Sequence, residues 1–372
     1  MPIAKPLRIL IVDDSAYARQ TLASILEQIP GVEICGKAFD GADAIPKILK
    51  LEPDLLTLDL EMPNMDGFAV LRWLSATRPT PAVVVSSLAE APNVFRALEL
   101  GAIDFVAKPR RGAGPELLGV KGDLERIVSG FSRLRLRGAP QARPAAGPPR
   151  AAEPAKPAEE GKPLAKSGTP ELVIIGASTG GPAAVEEILV RLPADFPAPV
   201  LVVQHMPAGF TRLFADRLAR RAAIAVMETR AGERLRPCRA YVCAGGVHTL
   251  VTKERYLDLV APADRDRYVP SVDRAMSSAA LACKDRLLGI VLTGMGDDGR
   301  EGTRAIHAAR GLTIAQSEES ALVFGMPERA ISAGAVDRVL GLQEIGDALL
   351  ELASRAGKSG SLPPAGGTEY TR

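Results

Sequence analysis

Residues 8–15 read RILIVDDS: an apolar run from Ile9 to Val12 stops at two adjacent aspartates and a serine. A short unbroken apolar run fits a strand buried on both faces, as parallel sheets require. Working outward, residues 32–38, 55–58, 82–85 and 104–107 also read as strands. Helical patterns lie between and after them, near 17–28, 42–50, 68–77, 93–100 and 117–136. The βα unit thus recurs five times, and residues 1–126 are predicted to form an α/β domain with a five-stranded parallel sheet, (βα)5.

From 138 to 166 the composition shifts to Pro, Ala, Gly and charge. Such a segment buries too little apolar surface to offset its ordering entropy, and its prolines favour an extended spacer. Residues 127–170 are therefore expected to be a linker, helical at its start. Buried strands resume at 172–175, 200–204 and 287–293, with helical patterns at 182–191, 211–221, 272–282 and 302–309. Residues 171–354 are predicted to form a second α/β domain, doubly wound and mostly parallel. Residues 355–372, rich in Gly, Ser and Pro, are expected to be a disordered tail.

A chain of 372 residues suits two such domains. A net charge of +2 gives no reason to expect nucleic acid as a partner. No apolar run is long enough to span a membrane, and neither membrane insertion nor a signal peptide is expected. The four cysteines form no CxxC pair, so reduced thiols in the cytoplasm are the expectation.

The predicted strands end on chemistry. Asp13 and Asp14 follow the first, Asp59 the third, Ser86 the fourth and Lys108 the fifth. In a parallel sheet these ends share one edge. Crowded carboxylates repel unless a cation neutralises them, and hard oxygens suit Mg2+. Asp59 could then accept a phosphoryl group whose oxygens meet Ser86 and Lys108. The plainer alternative is that strand-end aspartates cap the following helices.

In the second domain Ser178 lies in Gly176-Ala177-Ser178-Thr179-Gly180-Gly181, directly after a strand, with Pro182 at a helix start. The glycines permit a tight turn, and the helix N-terminus offers N–H groups to an oxyanion. The G-x-S-x-G match alone is weak: a phosphate-binding loop and a plain capped turn remain alternatives. A serine nucleophile needs a base, and the chain has three histidines. His205 ends the strand 200–204 and is the best placed. His248 is kept as a substrate-contact candidate, and His307 reads as a surface or packed helical residue. Asp297 and Asp298, after the strand 287–293, are both candidates for the orienting acid.

Several stretches carry a family resemblance. LIVDDS at 10–15, LTLDLEMPNMDG at 56–67, VVVSS at 83–87 and GAIDFVAKP at 101–109 resemble two-component receiver domains. The resemblance implies Asp59 as phosphoacceptor, Mg2+ on Asp13, Asp14, Asp59 and the Glu61 backbone carbonyl, phosphoryl binding by Ser86 and Lys108, and Phe105 as the aromatic switch residue. VIIGASTGGPAA at 173–184, QHMPAGFTRLFADRL at 204–218, PSVDRAM at 270–276, LTGMGDDG at 292–299 and FGMPERAI at 324–331 resemble the chemotaxis protein-glutamate methylesterases. That resemblance implies Ser178 as nucleophile, His205 as base, Asp298 as acid, and oxyanion donors near Thr179 and Met295. Asp297 stands where the family often has Asn. The implied activity is hydrolysis of glutamate γ-methyl esters on chemoreceptors, with glutamine deamidation, no metal at the esterase site, and a histidine kinase as phosphodonor. The unphosphorylated receiver is expected to cover part of the esterase site.

Overall fold

The computed structural model describes residues 5–86, 91–108, 120–125, 127–128 and 169–359. The expected linker falls almost wholly outside these residues. The first domain carries β1 (Leu7–Val12), α1 (Ala16–Leu26), β2 (Val32–Ala38), α2 (Gly41–Leu51), β3 (Leu55–Leu58), α3 (Gly67–Thr77), β4 (Ala82–Ser86), α4 (Ala91–Glu99) and β5 (Asp104–Ala107). Its strands pair in parallel in the order β2-β1-β3-β4-β5. Strand β1 explains why RILIV is apolar throughout. Ile9 and Ile11 pack towards Leu22, Ile25 and Leu26 of α1, while Leu10 and Val12 join the cluster on the opposite face. The order reverses at β1/β3, which opens a crevice at the carboxyl ends of those two strands.

The second domain continues with β6 (Leu172–Ala177), α5 (Gly181–Arg191), β7 (Val200–Gln204), α6 (Phe210–Arg221), β8 (Ala225–Glu228), β9 (Arg239–Val242), β10 (His248–Val251), β11 (Leu257–Val260), α7 (Val272–Cys283), β12 (Leu287–Val291), α8 (Arg300–Ala308), β13 (Leu312–Gln316), α9 (Met326–Ser332), β14 (Arg338–Leu340) and α10 (Leu342–Ser359). Seven strands pair in the order β14-β13-β12-β6-β7-β9-β8, every pair parallel. Among the described residues the antiparallel strands β10 and β11 form a separate hairpin. The expectation of a mostly parallel sheet therefore sharpens to a fully parallel one. Residues 355–359, expected in the tail, continue α10, whose apolar side chains Ile345, Leu349 and Leu352 are buried.

The two domains pack together. Phe95 stacks on Phe214 with centroids 5.8 Å apart, and Phe105 meets Phe210 at 4.6 Å. Arg217 and Arg221 of α6 both reach Glu99 of α4. The arginine pairs are partly solvated and contribute up to about 1 kcal/mol each, so the buried aromatic and polar contacts set the strength of the seam.

Candidate active site

The cap of α1 is Ser15, whose Oγ accepts from the Ala18 amide at 3.3 Å. Asp13 and Asp14 are not spent on that role. With Asp59 they place three carboxylate oxygens within 4.8 Å of one another. Lys108 Nζ donates to Asp59 Oδ2 and lies 3.3 Å from Asp13 Oδ2. The second contact brings charge without hydrogen-bond geometry, so the buried Asp13 Oδ2 keeps no hydrogen-bond partner among the described residues. An orphaned anionic oxygen beside two more hard donors fits a small dication. Burial, with the Asp13 charge, pushes Asp59 up to about 6 against the pull of Lys108. Burial also raises Asp13. Burial works against the Lys108 ammonium, but its hydrogen bond and charge contact with Asp59 hold it above its ordinary value. Glu61 is exposed, and its amide donates to Asp59 Oδ1 at 3.3 Å. The Ser86 side chain lies outside the described residues.

This electrostatics predicts a pH dependence for the metal-free protein. Between pH 3.8 and about 6 the folded chain keeps a proton on Asp59 that the unfolded chain has lost. Stability therefore falls as pH rises through that window and stays reduced above it. In chelator at pH 7, Asp59→Asn is expected to raise the melting temperature by about 3–6 °C, with little change below the window. Mg2+ is expected to stabilise the parent above pH 6 far more than the variant. Thermal melts across pH check this; equal melting temperatures at pH 7 in chelator would refute it.

In the second domain the strand order reverses between β6 and β12, and the three residues singled out from sequence lie on the loops at that edge. Ser178 follows β6, His205 follows β7, and Asp298 lies on the loop after β12. Backbone bonds tie the strand ends together: His205 N–H donates to Ala177 O at 3.0 Å and Ser178 N–H to Thr293 O at 3.1 Å. Gly180 takes φ +76°, which allows the tight entry into α5. Gly294 is required by close approach, since a Cβ there would fall 2.8 Å from Ser178 Cβ.

His205 Nε2 lies 2.7 Å from Asp298 Oδ2. Of the two candidate aspartates, Asp298 is 2 % exposed and meets the imidazole, whereas Asp297 turns outward to Tyr268 and Arg267. Asp298 also accepts from Ser271 Oγ, Val272 N–H and Asp273 N–H, at the N-terminus of α7. Asp273 in turn accepts from Gly299 and Gly302 N–H at the N-terminus of α8. Each aspartate caps the other's helix. Burial disfavours the Asp298 charge, but the His205 contact and the amide donors outweigh it and lower its pKa. Burial and the Asp298 charge push Asp273 up to about 7. A neutral His205 donates to Asp298 through Nε2, leaving Nδ1 as its acceptor atom. That Nδ1 is buried and has no hydrogen-bond partner among the described residues.

The substrate-contact expectation for His248 is corrected. It is 0 % exposed, donates from Nε2 to Asp266 Oδ2 at 2.9 Å, and accepts the Ser271 amide on Nδ1. Both ring nitrogens are thereby committed to holding the loop before α7. His307 is exposed on α8.

The sequence reading missed Asp104. Its carboxylate accepts from Thr179 Oγ1 at 2.6 Å across the seam, and Ile103 O accepts the Gly180 amide at 3.2 Å. The receiver sheet thus bonds directly to the turn that carries Ser178, which is 1 % exposed. The motif GAIDFVAKP contains Asp104, but nothing in one dimension pairs it with a residue 75 positions away.

A five-stranded parallel domain with a carboxylate–lysine cluster at its switch point, followed by a parallel α/β domain with Ser, His and Asp at its own, defines a receiver-linked hydrolase. The response regulator receiver domain model matches residues 9–114, and the CheB methylesterase model matches residues 173–349. A protein-glutamate methylesterase/protein-glutamine glutaminase of Geobacter sulfurreducens is 44% identical over 93% of this chain and 97% of that relative. One of the same description from Myxococcus xanthus is 43% identical over 94% and 98%. The Thermotoga maritima CheB methylesterase catalytic domain aligns at 37% identity over 50% of this chain and 99% of that one, with a TM-score of 0.47. The chain belongs to the CheB methylesterase family and is a hydrolase with an N-terminal response-regulator receiver domain. Among the described residues no helix is long and apolar enough to cross a membrane.

Proposed function

We propose that this chain hydrolyses glutamate γ-methyl esters on chemoreceptors in the cytoplasm under control of phosphorylation at Asp59, and deamidates receptor glutamines by the same acyl chemistry. The observation that carries the reading is the 2.7 Å contact between His205 Nε2 and Asp298, at the strand edge that bears Ser178. His205 Nδ1 takes the Ser178 hydroxyl proton as Oγ attacks the ester carbonyl. The Thr179 and Met295 amides hold the oxyanion. The imidazolium then returns the proton to the departing methoxide, methanol leaves, and water cleaves the acyl-enzyme by the same route. Asp298 stays ionised throughout and stabilises the imidazolium. In the receiver, Asp13, Asp14, Asp59 and the Glu61 carbonyl would hold Mg2+, which supplies charge neutralisation during transfer of a phosphoryl group from a histidine kinase. Ser86 and Lys108 would bind the phosphoryl oxygens.

The regulation follows from the seam. Strand β5 begins at Asp104 and is followed directly by Lys108, about 13 Å away at the usual rise per residue. A change at Asp59 is thereby linked through one strand to the Thr179 contact, with Phe105 packed on Phe210 between them. Closed, the seam buries Ser178; released, it admits the receptor. Breaking the Asp104–Thr179 bond removes about 1–1.5 kcal/mol from the closed state, so Asp104→Ala is expected to raise unphosphorylated activity about 5–10-fold. Labelled methanol release from methylated receptor membranes, with and without acetyl phosphate, tests the whole reading. Stimulation of the parent but not of Asp59→Asn supports it. No methanol release by the parent, or full stimulation of Asp59→Asn, overturns it.

A further inference from the structure

We infer that Tyr268 is a positioning residue for the His205 imidazole, anchored by Asp297; the inference rests on reading His205 as the base. The two rings are stacked, with centroids 4.9 Å apart and planes 9° from parallel. Tyr268 Oη donates to Asp297 Oδ1 at 2.8 Å. Arg267 lies 5.1 Å from the centroid of the same ring and 3.3 Å from the same carboxylate oxygen. The far side of this loop is tied down as well: Asp266 accepts from His248, Arg274 and the Ala263 amide.

One hydrogen bond fixes a point on a ring and leaves the plane free to swing about it. Asp298 is the only partner of the His205 side chain among the hydrogen bonds of the described residues. A flat ring at stacking distance removes the remaining rotation and keeps Nδ1 aimed where the Ser178 proton must be received. This assigns different work to the adjacent aspartates. Asp298 holds the edge of the imidazole, and Asp297 holds its face through Tyr268. Arg267 is 72 % exposed, so its ion pair adds little and the Tyr268–Asp297 hydrogen bond is the main anchor. A ring that only filled space would affect stability; a ring that aims the base affects kcat.

The test uses the full chain with acetyl phosphate and Mg2+, on membranes bearing chemoreceptor carrying tritium-labelled methyl esters. Tyr268→Leu, which fills much of the volume without a π face, is expected to lower kcat about tenfold with KM within about twofold. Tyr268→Phe keeps the stack and is expected to retain kcat within about threefold. Asp297→Ala, at a half-exposed side chain, is a second variant that does not risk the fold and is expected to lower kcat about threefold. His205→Ala runs alongside. Normal kcat in Tyr268→Leu with an inactive His205→Ala overturns the positioning role and leaves the base in place. Should Tyr268→Leu fail to fold, normal kcat in Asp297→Ala overturns it instead. An active His205→Ala overturns both readings. Equal loss in the Phe and Leu variants also overturns the role of the stack.

Discussion

Ser178→Ala is expected to lower methanol release by about four orders of magnitude or more while leaving the protein folded. The change removes one oxygen. The backbone bond from Ser178 N–H to Thr293 O, which holds the turn, does not depend on it. Gly294 packs against Ser178 Cβ, which alanine retains. Loss of one hydroxyl hydrogen bond is then expected to move the melting temperature by no more than about 4 °C. The loss should fall on kcat, because receptor binding does not need the hydroxyl. The residual rate should reflect the oxyanion donors alone. A stopped-time assay on labelled receptor membranes measures it, and a variant within tenfold of the parent excludes Ser178 as nucleophile.

Asp298→Asn is expected to cost about 10³–10⁴-fold in kcat, with KM little changed. Both carboxylate oxygens are committed: Oδ2 accepts from His205 and Val272 N–H, and Oδ1 from Ser271 Oγ and Asp273 N–H. An amide NH2 in either place faces a backbone donor. If it faces Val272, it also faces His205 Nε2 and favours the tautomer with the proton on Nδ1, which cannot act as base. If it faces Asp273, the imidazolium still loses its counter-charge. The Asp273 side chain is not expected to substitute, because its Oδ1 is engaged by the Gly299 and Gly302 amides. Asp297→Asn keeps an acceptor for Tyr268 and is expected to stay within about threefold of the parent. Comparing the two variants separates adjacent aspartates that sequence alone left equivalent; equal losses would return the acid to open choice.

Much of the molecule was readable because its strands are buried on both faces. Runs such as Ile9–Val12 and 200–204 have one interpretation in a chain of this length, and β7 and β3 fall where the apolar pattern ends. The edge of the second sheet was harder. β8 has the burial sequence exposed, buried, half-buried, half-buried, and β14 has only three residues, so neither carries a clear period. The hairpin β10–β11 drew His248 into view as a ligand contact, because a histidine in a glycine-rich stretch looks exposed. Its burial depends on Asp266 and on the Ser271 amide, which arrive from elsewhere in the chain.

The sequence by itself determined two parallel α/β domains and the strand-end positions of Asp59, Lys108, Ser178 and His205. Periodicity and strand ends are local properties, written in consecutive residues. Only the tertiary structure decided which aspartate meets His205, that Asp298 and Asp273 cap each other's helices, that Tyr268 covers the imidazole, and that Asp104 bonds Thr179 across the seam. Those contacts join residues far apart in the chain, and hydrogen bonds and stacking act over a few ångströms. They exist only once packing has brought their partners within that range.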